Sequence, residues 1–251
     1  MGRINIILKR DFRELKKTNA FLIIIIVFAV ITVVAALTIG ILLKQREWVS
    51  HPASKPILEL IISVTAYFMP VFILMTFIWS FASLPLIKEK VSGAITSLLA
   101  TPLKPAELLT GKSLNIFFPG FVISTIFTSI VLLTVNLIAI LPATGAFILP
   151  APALFTGLIL NPLLFLGLIF LLVLFSLAGN PDIAITPSFI IGFGLMMGIP
   201  LGLATGKIDL SSWSFSLWYL VGVIIFWIIT LCFLPLLTKE KIVLSGKGTQ
   251  M

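Results

Sequence analysis

The chain has 251 residues, of which 59% are hydrophobic and only 10% are charged. Soluble domains carry about 25% charged residues, so this composition excludes an ordinary soluble globular protein and indicates a chain surrounded by lipid. Lys and Arg number 17 against 9 Asp and Glu, which gives a formal net charge of +8. A single cysteine, Cys232, excludes an intrachain disulfide.

Residues 3–17 form the first predicted element, an amphipathic helix. At about 100° per residue, apolar side chains collect on one side and cations on the other. The two sides hold Ile4, Ile7, Leu8, Phe12 and Leu15 against Lys9, Arg10, Arg13, Lys16 and Lys17. This pattern is typical of an interfacial helix that lies along a membrane surface, with its cations at the headgroups. It fits an orientation anchor and a partner-binding element equally well.

Uncharged stretches fill most of the remaining chain, at residues 20–43, 60–87, 113–181, 183–206 and 210–238. Each is longer than the roughly 20 apolar residues that a helix needs to cross a bilayer. The first also exceeds the apolar core of a signal peptide, about 7 to 15 residues, so we expect it to be retained. The third is too long for one crossing and contains breakers that end helices and reverse chains, namely Pro142, Gly145, Pro150 and Pro152.

We therefore predict one transmembrane domain over residues 1–251, with spans at about 20–43, 60–87, 113–141, 153–178, 183–205 and 213–237. Backbone groups in lipid must form hydrogen bonds within helices or closed barrels, and these continuous apolar runs lack the alternation of a barrel. The predicted fold is an all-α bundle of six transmembrane helices.

The distribution of basic residues predicts the orientation of this bundle. An even number of spans places both termini on one side, and 13 of the 17 basic residues fall there. The other side holds Lys44, Arg46, Lys55 and Lys207. By the positive-inside rule we expect a multi-pass protein of the plasma membrane with both termini in the cytoplasm. Because the cations follow membrane boundaries rather than gathering on one module, we expect contact with lipid and no nucleic-acid partner.

The most informative polar segment is 88–112, KEKVSGAITSLLATPLKPAELLTGK, between the second and third spans. A short helix is predicted from residue 94 until Pro102, which forces its predecessor out of the helical region. A second short helix is predicted to begin at Pro105, with Glu107 near the positive end of its dipole. Two short helices joined by a proline bend would form a compact cytoplasmic projection suited to mechanical contact.

This segment resembles the one that follows the second span in the membrane subunits of ATP-binding-cassette (ABC) exporters of the second type. There a charged start, a Gly, LLATPL, P-x-E-L and GK recur in the same order, and the amphipathic start and six spans of this chain match as architecture. The resemblance implies that residues 88–112 are a coupling segment that docks on an ATPase. The implied contacts are Glu89, Gly93, Ile95, Leu98, Leu99, Thr101, Pro102, Leu103, Lys104, Pro105 and Glu107, together with Leu8, Arg10, Phe12, Arg13 and Lys16 of the interfacial helix.

The resemblance also implies the partners. Two permease copies, expected as a homodimer, would form the translocation path and dock on two copies of a separate cytoplasmic ABC ATPase, which would bind ATP and magnesium. The chain itself is not expected to be an enzyme or to hold a cofactor. Residues 106–113 approach a phosphate-binding loop, but Ala106 stands where the first glycine is required. No ionisable residue lies within the predicted spans, and the lone His51 has no metal-ligating neighbour.

Polar and small residues within the spans allow more than one interpretation. Asn115, Asn136 and Asn161 are candidates to line a substrate path, although such residues commonly form hydrogen bonds between helices, and we favour the packing role. Glycines repeat every four residues along the fifth span, a spacing that lets another helix approach closely. They are Gly194, Gly198, Gly202 and Gly206.

Three functions compete for this sequence. The permease of an ABC exporter is favoured by the coupling segment and by the uncharged spans. A self-contained channel or secondary carrier is the alternative, and transport by the purified chain alone would favour it. A membrane enzyme or an assembly factor without transport activity is the third, and the lack of acid, base, thiol and metal clusters counts against the enzyme. No residue selects a substrate class.

Overall fold

A computed structural model of the chain describes residues 2–81, 104–179, 184–238 and 240–242, without the side chains of residues 2–7, 47, 48 and 52. Within these ranges the chain is helical apart from short turns and forms no strand, which confirms the all-α prediction. Six of the helices are long and apolar enough to cross a membrane, as predicted. The structure therefore supports an integral, multi-pass membrane protein.

The first helix, α1, spans Gly2–Lys17 and precedes the six long helices. These are α2 Asn19–Lys44, α3 Lys55–Phe81, α4 Pro105–Thr144, α5 Ala151–Ala178, α6 Thr186–Ala204 and α7 Trp213–Cys232. The 3₁₀ turns Glu47–Ser50 and Pro52–Ser54 join α2 to α3, and a third, Leu234–Leu236, follows α7. The helices α4 and α5 each contain one π-helical turn, Asn136–Ile140 and Thr156–Leu160.

The packed core lies where α3, α4 and α5 meet. In the apolar parts of α3 and α5, 50% and 67% of the residues are buried, whereas the fractions are 17% for α2 and 11% for α6 and for α7. The long helix α4 contacts α1, α2, α3 and α5. The outer faces of α2, α6 and α7 therefore remain exposed within one copy of the chain.

The helix α4 begins at Pro105 rather than at residue 113, so the predicted short helix and the third span are one element. The backbone N–H of Lys104 donates to Glu107 Oε2 at 3.0 Å, which closes the first turn. Leu108 and Leu109 are fully buried in the core, and this burial holds the early turns in place. Gly111 is the one strong helix-weakening residue before the span, and a single glycine costs only about 1 kcal/mol.

The breaker-rich segment reverses the chain between α4 and α5, as predicted, although α4 continues through Pro142 to Thr144. Gly145 follows with φ of 72°, in the left-handed region that favours glycine, and its N–H donates to the carbonyl of Leu141 at 2.9 Å. Pro150 then precedes the first turn of α5. This hairpin lies at the end of the bundle opposite to α1, because α4 runs from one end to the other.

Two backbones approach closely where α5 crosses α3. A Cβ atom placed on Gly157 would lie 2.0 Å from the carbonyl oxygen of Ala66, well inside van der Waals contact. Gly157 belongs to the π turn of α5, so the local widening of that helix and the missing side chain together bring α5 against α3. Only glycine fits this crossing.

The glycine repeat of α6 does not mediate a close helix contact within the described chain. No atom lies within 4 Å of a Cβ placed on Gly194 or Gly198, and Gly202 faces Ile208 rather than another helix. Gly206 lies beyond the end of α6, in a turn with φ of 68°. Among the described residues of one copy, α6 packs through other positions, so a close approach of another helix along these four glycines stays a prediction.

Replacing Gly157 with alanine tests the crossing of α3 and α5. Gly157→Ala is expected to lower the free energy of unfolding by about 1–3 kcal/mol, because the added methyl overpacks a backbone contact. Gly40→Ala is the matched control, since a Cβ there would lie 3.5 Å from Ile138, an ordinary contact distance; it should leave stability unchanged or raise it by up to about 1 kcal/mol through helix propensity. Denaturant unfolding in detergent, followed by circular dichroism, measures both. Equal stability of the two variants would contradict the close crossing.

Candidate functional site

The helix α1 packs on the first turns of α4, and this α1–α4 contact is the candidate functional site. Leu8 and Leu15 are half-buried, and Leu15 packs against the main hydrophobic core. Phe12 is 37% exposed, with the Lys16 ammonium 5.0 Å from its ring centroid. Arg10, Arg13 and Lys16 are exposed, so the cationic side of α1 faces away from the bundle. All five predicted residues of the interfacial helix thus lie in this contact or on its outer side.

A buried carboxylate fastens the two helices together. Asp11 is 8% exposed, and its Oδ1 accepts a hydrogen bond from Arg10 Nε at 2.8 Å. Its Oδ2 lies 3.6 Å from Lys112 Nζ on α4, and the Lys112 side chain is only 5% exposed. Burial of a charge is costly unless it is paired, so the carboxylate and the two cations stabilise one another only in this arrangement.

Sequence reasoning missed this ion cluster, although a signal for it exists. Asp11 lies three residues after Leu8 and four before Leu15, in the middle of the apolar side of α1. An acidic residue in that position must find a cation when the face is buried. Lys112, the last residue of the segment that resembles the exporters, stands just before the uncharged run that begins at residue 113. The two isolated charges on otherwise apolar surfaces predict a pair.

Few of the predicted docking residues fall in the described ranges. Lys104, Pro105 and Glu107 form the cap and first turn of α4, directly below the α1–α4 contact. The remaining predicted coupling residues lie outside the described residues: Glu89, Gly93, Ile95, Leu98, Leu99, Thr101, Pro102 and Leu103.

The three asparagines do not share a site. Asn136 Nδ2 donates to the carbonyl of Ile148 at 3.3 Å, and Asn136 Oδ1 accepts from the N–H of Ile148 at 2.9 Å. Asn161 links three helices, donating to the carbonyl of Tyr67 at 3.1 Å and accepting from the Tyr219 hydroxyl at 2.6 Å. These bonds give Asn136 and Asn161 packing roles, in the hairpin and in the core. That any of the three asparagines lines a substrate path stays a prediction.

A second polar link inside the bundle joins α5 to α7. The hydroxyls of Thr156 and Ser216 lie 2.9 Å apart, and Ser216 also donates to the carbonyl of Pro152 at 3.0 Å. Hydroxyl pairs of this kind hold helices together in an apolar surrounding. Together with the Asn161 bonds, they tie the exposed helix α7 to the core.

No group of three or more His, Cys, Asp or Glu side chains lies close enough to hold a metal ion in the part of the chain that the structure describes.

Comparison with family profiles, with curated proteins and with solved structures found no match to this chain. The buried pair of Asp11 with Lys112 joins the amphipathic helix α1 to the early turns of the spanning helix α4.

A double-mutant cycle tests whether the ion cluster stabilises the contact. Asp11→Asn should lower the free energy of unfolding by about 3–5 kcal/mol, because it leaves Lys112 buried without its carboxylate. The double variant with Asp11→Asn and Lys112→Gln should lose less free energy of unfolding than the sum of the two single losses, with a coupling energy of about 0.5–3 kcal/mol. Denaturant titration of the purified full chain provides the four values.

The control for this cycle is the exposed pair of Lys55 with Glu59, whose charged atoms lie 4.0 Å apart with side chains 71% and 35% exposed. Lys55→Gln removes the same charge from a solvated surface and should cost about 0–1 kcal/mol. If the losses in free energy of unfolding caused by Asp11→Asn and Lys112→Gln are additive, or if they are no larger than the loss caused by Lys55→Gln, the cluster does not fasten α1 to α4.

Proposed function

We propose that this chain is the permease subunit of an ABC exporter, which forms the translocation path as a homodimer and is driven by a separate cytoplasmic ATPase. The observation that carries the proposal is the position of Lys112. This residue ends the segment that resembles the exporter subunits, and it is also the buried partner of Asp11. The amphipathic helix is thus fastened to the helix into which the coupling segment leads.

The continuity of α4 supports a mechanical role for that segment. The chain stays helical from Pro105 to Thr144, through Pro119 and one π turn. At about 1.5 Å per residue, such a helix is long enough to cross the bilayer. A displacement at its first turn is therefore carried to the opposite end of the bundle, and α1 moves with it through the ion cluster.

The uncharged interior supports an external source of energy. Carriers that couple to ions or protons hold ionisable residues at membrane depth. Residues 113–181 and 183–206 contain no Asp, Glu, Lys, Arg or His. Energy is thus supplied through the docked ATPase rather than by ionisation inside the spans, and an uncharged path suits an apolar or amphipathic substrate.

The exposed helices support pairing of two copies. Only 11% of the residues in the apolar parts of α6 and α7 are buried, and no described residue from outside α6 lies within 4 Å of a Cβ placed on Gly194 or Gly198. An exposed glycine face lets a second helix approach closely in lipid. In the proposed complex, a second copy covers part of this surface and lipid covers the rest.

Co-purification with the cognate ABC ATPase tests the proposal. Replacing Leu98 and Leu99 together by aspartate places charges on the predicted apolar face of the coupling segment. Both the amount of bound ATPase and the stimulation of its activity should fall at least about tenfold in this variant. Such a fall corresponds to the loss of about 1.4 kcal/mol or more of docking energy. Replacing Phe147 and Leu149 together by aspartate adds the same two charges to the exposed hairpin at the opposite end and should leave both readouts unchanged.

Two results would overturn the proposal. In the first, the Leu98 and Leu99 variant retains the wild-type ATPase and its stimulation, although it elutes and unfolds as the wild type does. In the second, the purified chain alone moves a substrate along an ion gradient in vesicles without nucleotide, which would favour a self-contained channel or carrier.

A further inference from the structure

A groove between α1 and α4 combines an apolar wall with polar and cationic groups. It has a volume of about 300 Å³ and is lined by Leu8, Lys9, Phe12, Leu114, Asn115 and Phe118. A neighbouring depression of about 430 Å³ is lined by Lys9, Arg10, Arg13, Glu14 and Lys17. Lys9 borders both spaces. The groove therefore lies next to a surface with four cations and one carboxylate, which attracts an anion.

One of the residues that line this groove carries an unpartnered acceptor. Asn115 is 8% exposed, and its Oδ1 has no hydrogen-bond partner in the part of the chain that the structure describes. A buried carbonyl oxygen without a donor is unfavourable, so such groups in folded proteins are normally paired with protein, water or ligand. A ligand that brings a hydroxyl donor into the groove would satisfy it once the Asn115 amide turns this oxygen toward the groove.

An exposed apolar strip leads away from the groove along α4. Phe118, Val122 and Ile126 follow one another at a spacing of four residues, on one face of the helix. Their side chains are 49%, 49% and 50% exposed. At about 1.5 Å per residue, this strip continues for roughly 12 Å from the aromatic wall of the groove, a path suited to an acyl chain.

We propose that this groove binds one molecule of an anionic phospholipid with a hydroxyl-bearing headgroup, phosphatidylglycerol. The phosphate pairs with Lys9, a headgroup hydroxyl donates to Asn115 Oδ1, and an acyl chain lies over Phe118 and Val122. A soluble anion would use the cations but not the apolar strip, and a neutral lipid would use the strip but not the cations. Only an anionic lipid engages all three features.

This inference rests on the placement of α1 at the membrane surface, which is part of the proposed function, but its test does not involve the ATPase. A chain that docks the ATPase but does not bind lipid would refute the lipid site and leave the exporter assignment standing. A chain that binds lipid but does not dock the ATPase would refute the exporter assignment and leave the lipid site standing.

Native mass spectrometry of the detergent-purified full chain tests the site. The chain is titrated with phosphatidylglycerol, with neutral phosphatidylcholine, and with phosphatidylmethanol, which keeps the charge and lacks the headgroup hydroxyls. Phosphatidylglycerol should be retained at least about fivefold better than phosphatidylcholine. Lys9→Gln should reduce its retention about fivefold, the effect of one cation near a phosphate surface. Lys207→Gln removes an exposed cation at the opposite end and should have no effect.

Substitution of Asn115 distinguishes a specific lipid site from general attraction of lipid to the surface charge. Asn115→Leu should abolish the preference for phosphatidylglycerol over phosphatidylmethanol while the dependence on Lys9 persists. If that variant does not fold, Asn115→Ala repeats the comparison. Equal retention of phosphatidylglycerol and phosphatidylcholine would overturn the proposal. So would equal losses for Lys9→Gln and Lys207→Gln, or an unchanged preference after substitution of Asn115.

Discussion

The arrangement of the α1 end of the bundle depends on the burial of one carboxylate. Asp11 is removed from solvent on the face of α1 that meets α4, where its charge requires cations within reach. Arg10 supplies one from the same helix, and Lys112 supplies the other from α4. Lys112 is itself buried, so separating α1 from α4 would take the Asp11 carboxylate away from an ammonium that lies 3.6 Å from it in the folded chain. The pair therefore fixes both the position of α1 and its rotation about its own axis.

That rotation determines what the rest of α1 can do. With Asp11 toward α4, Arg13 and Lys16 face outward, and Leu8 and Phe12 form one wall of the groove above Asn115. The same ion pair thus connects three features that the sequence presents separately: the amphipathic helix, the start of the third span, and the segment that leads into it. In the proposed exporter, these features move as one unit when the ATPase acts, with bound lipid at its edge.

The sequence predicts the helices better than it predicts their contacts. Uncharged runs and the Pro142 to Pro152 breakers give six membrane-length helices, since lipid leaves the backbone few alternatives. The helix predicted to begin at Pro105 and the third span are one helix, because charge marked a boundary at Lys112 that the burial of Leu108 and Leu109 overrides. The roles of Asn136 and Asn161 depend on partners 12 and 58 residues away, Ile148 and Tyr219, which periodicity cannot show. Spacing likewise could not show that Gly157, rather than the α6 glycines, lies at a close crossing.

The central claim, that a buried ion pair makes α1 an integral part of the bundle, is tested most directly by hydrogen exchange of the full chain in lipid nanodiscs. The account predicts that amides of α1 exchange about as slowly as those at the start of α4. It also predicts that Asp11→Asn accelerates exchange in α1 while leaving the core crossing of α3 and α5 unchanged, since local openings follow local contacts. Exchange of the wild-type α1 amides at the rate of an unstructured peptide would contradict the account.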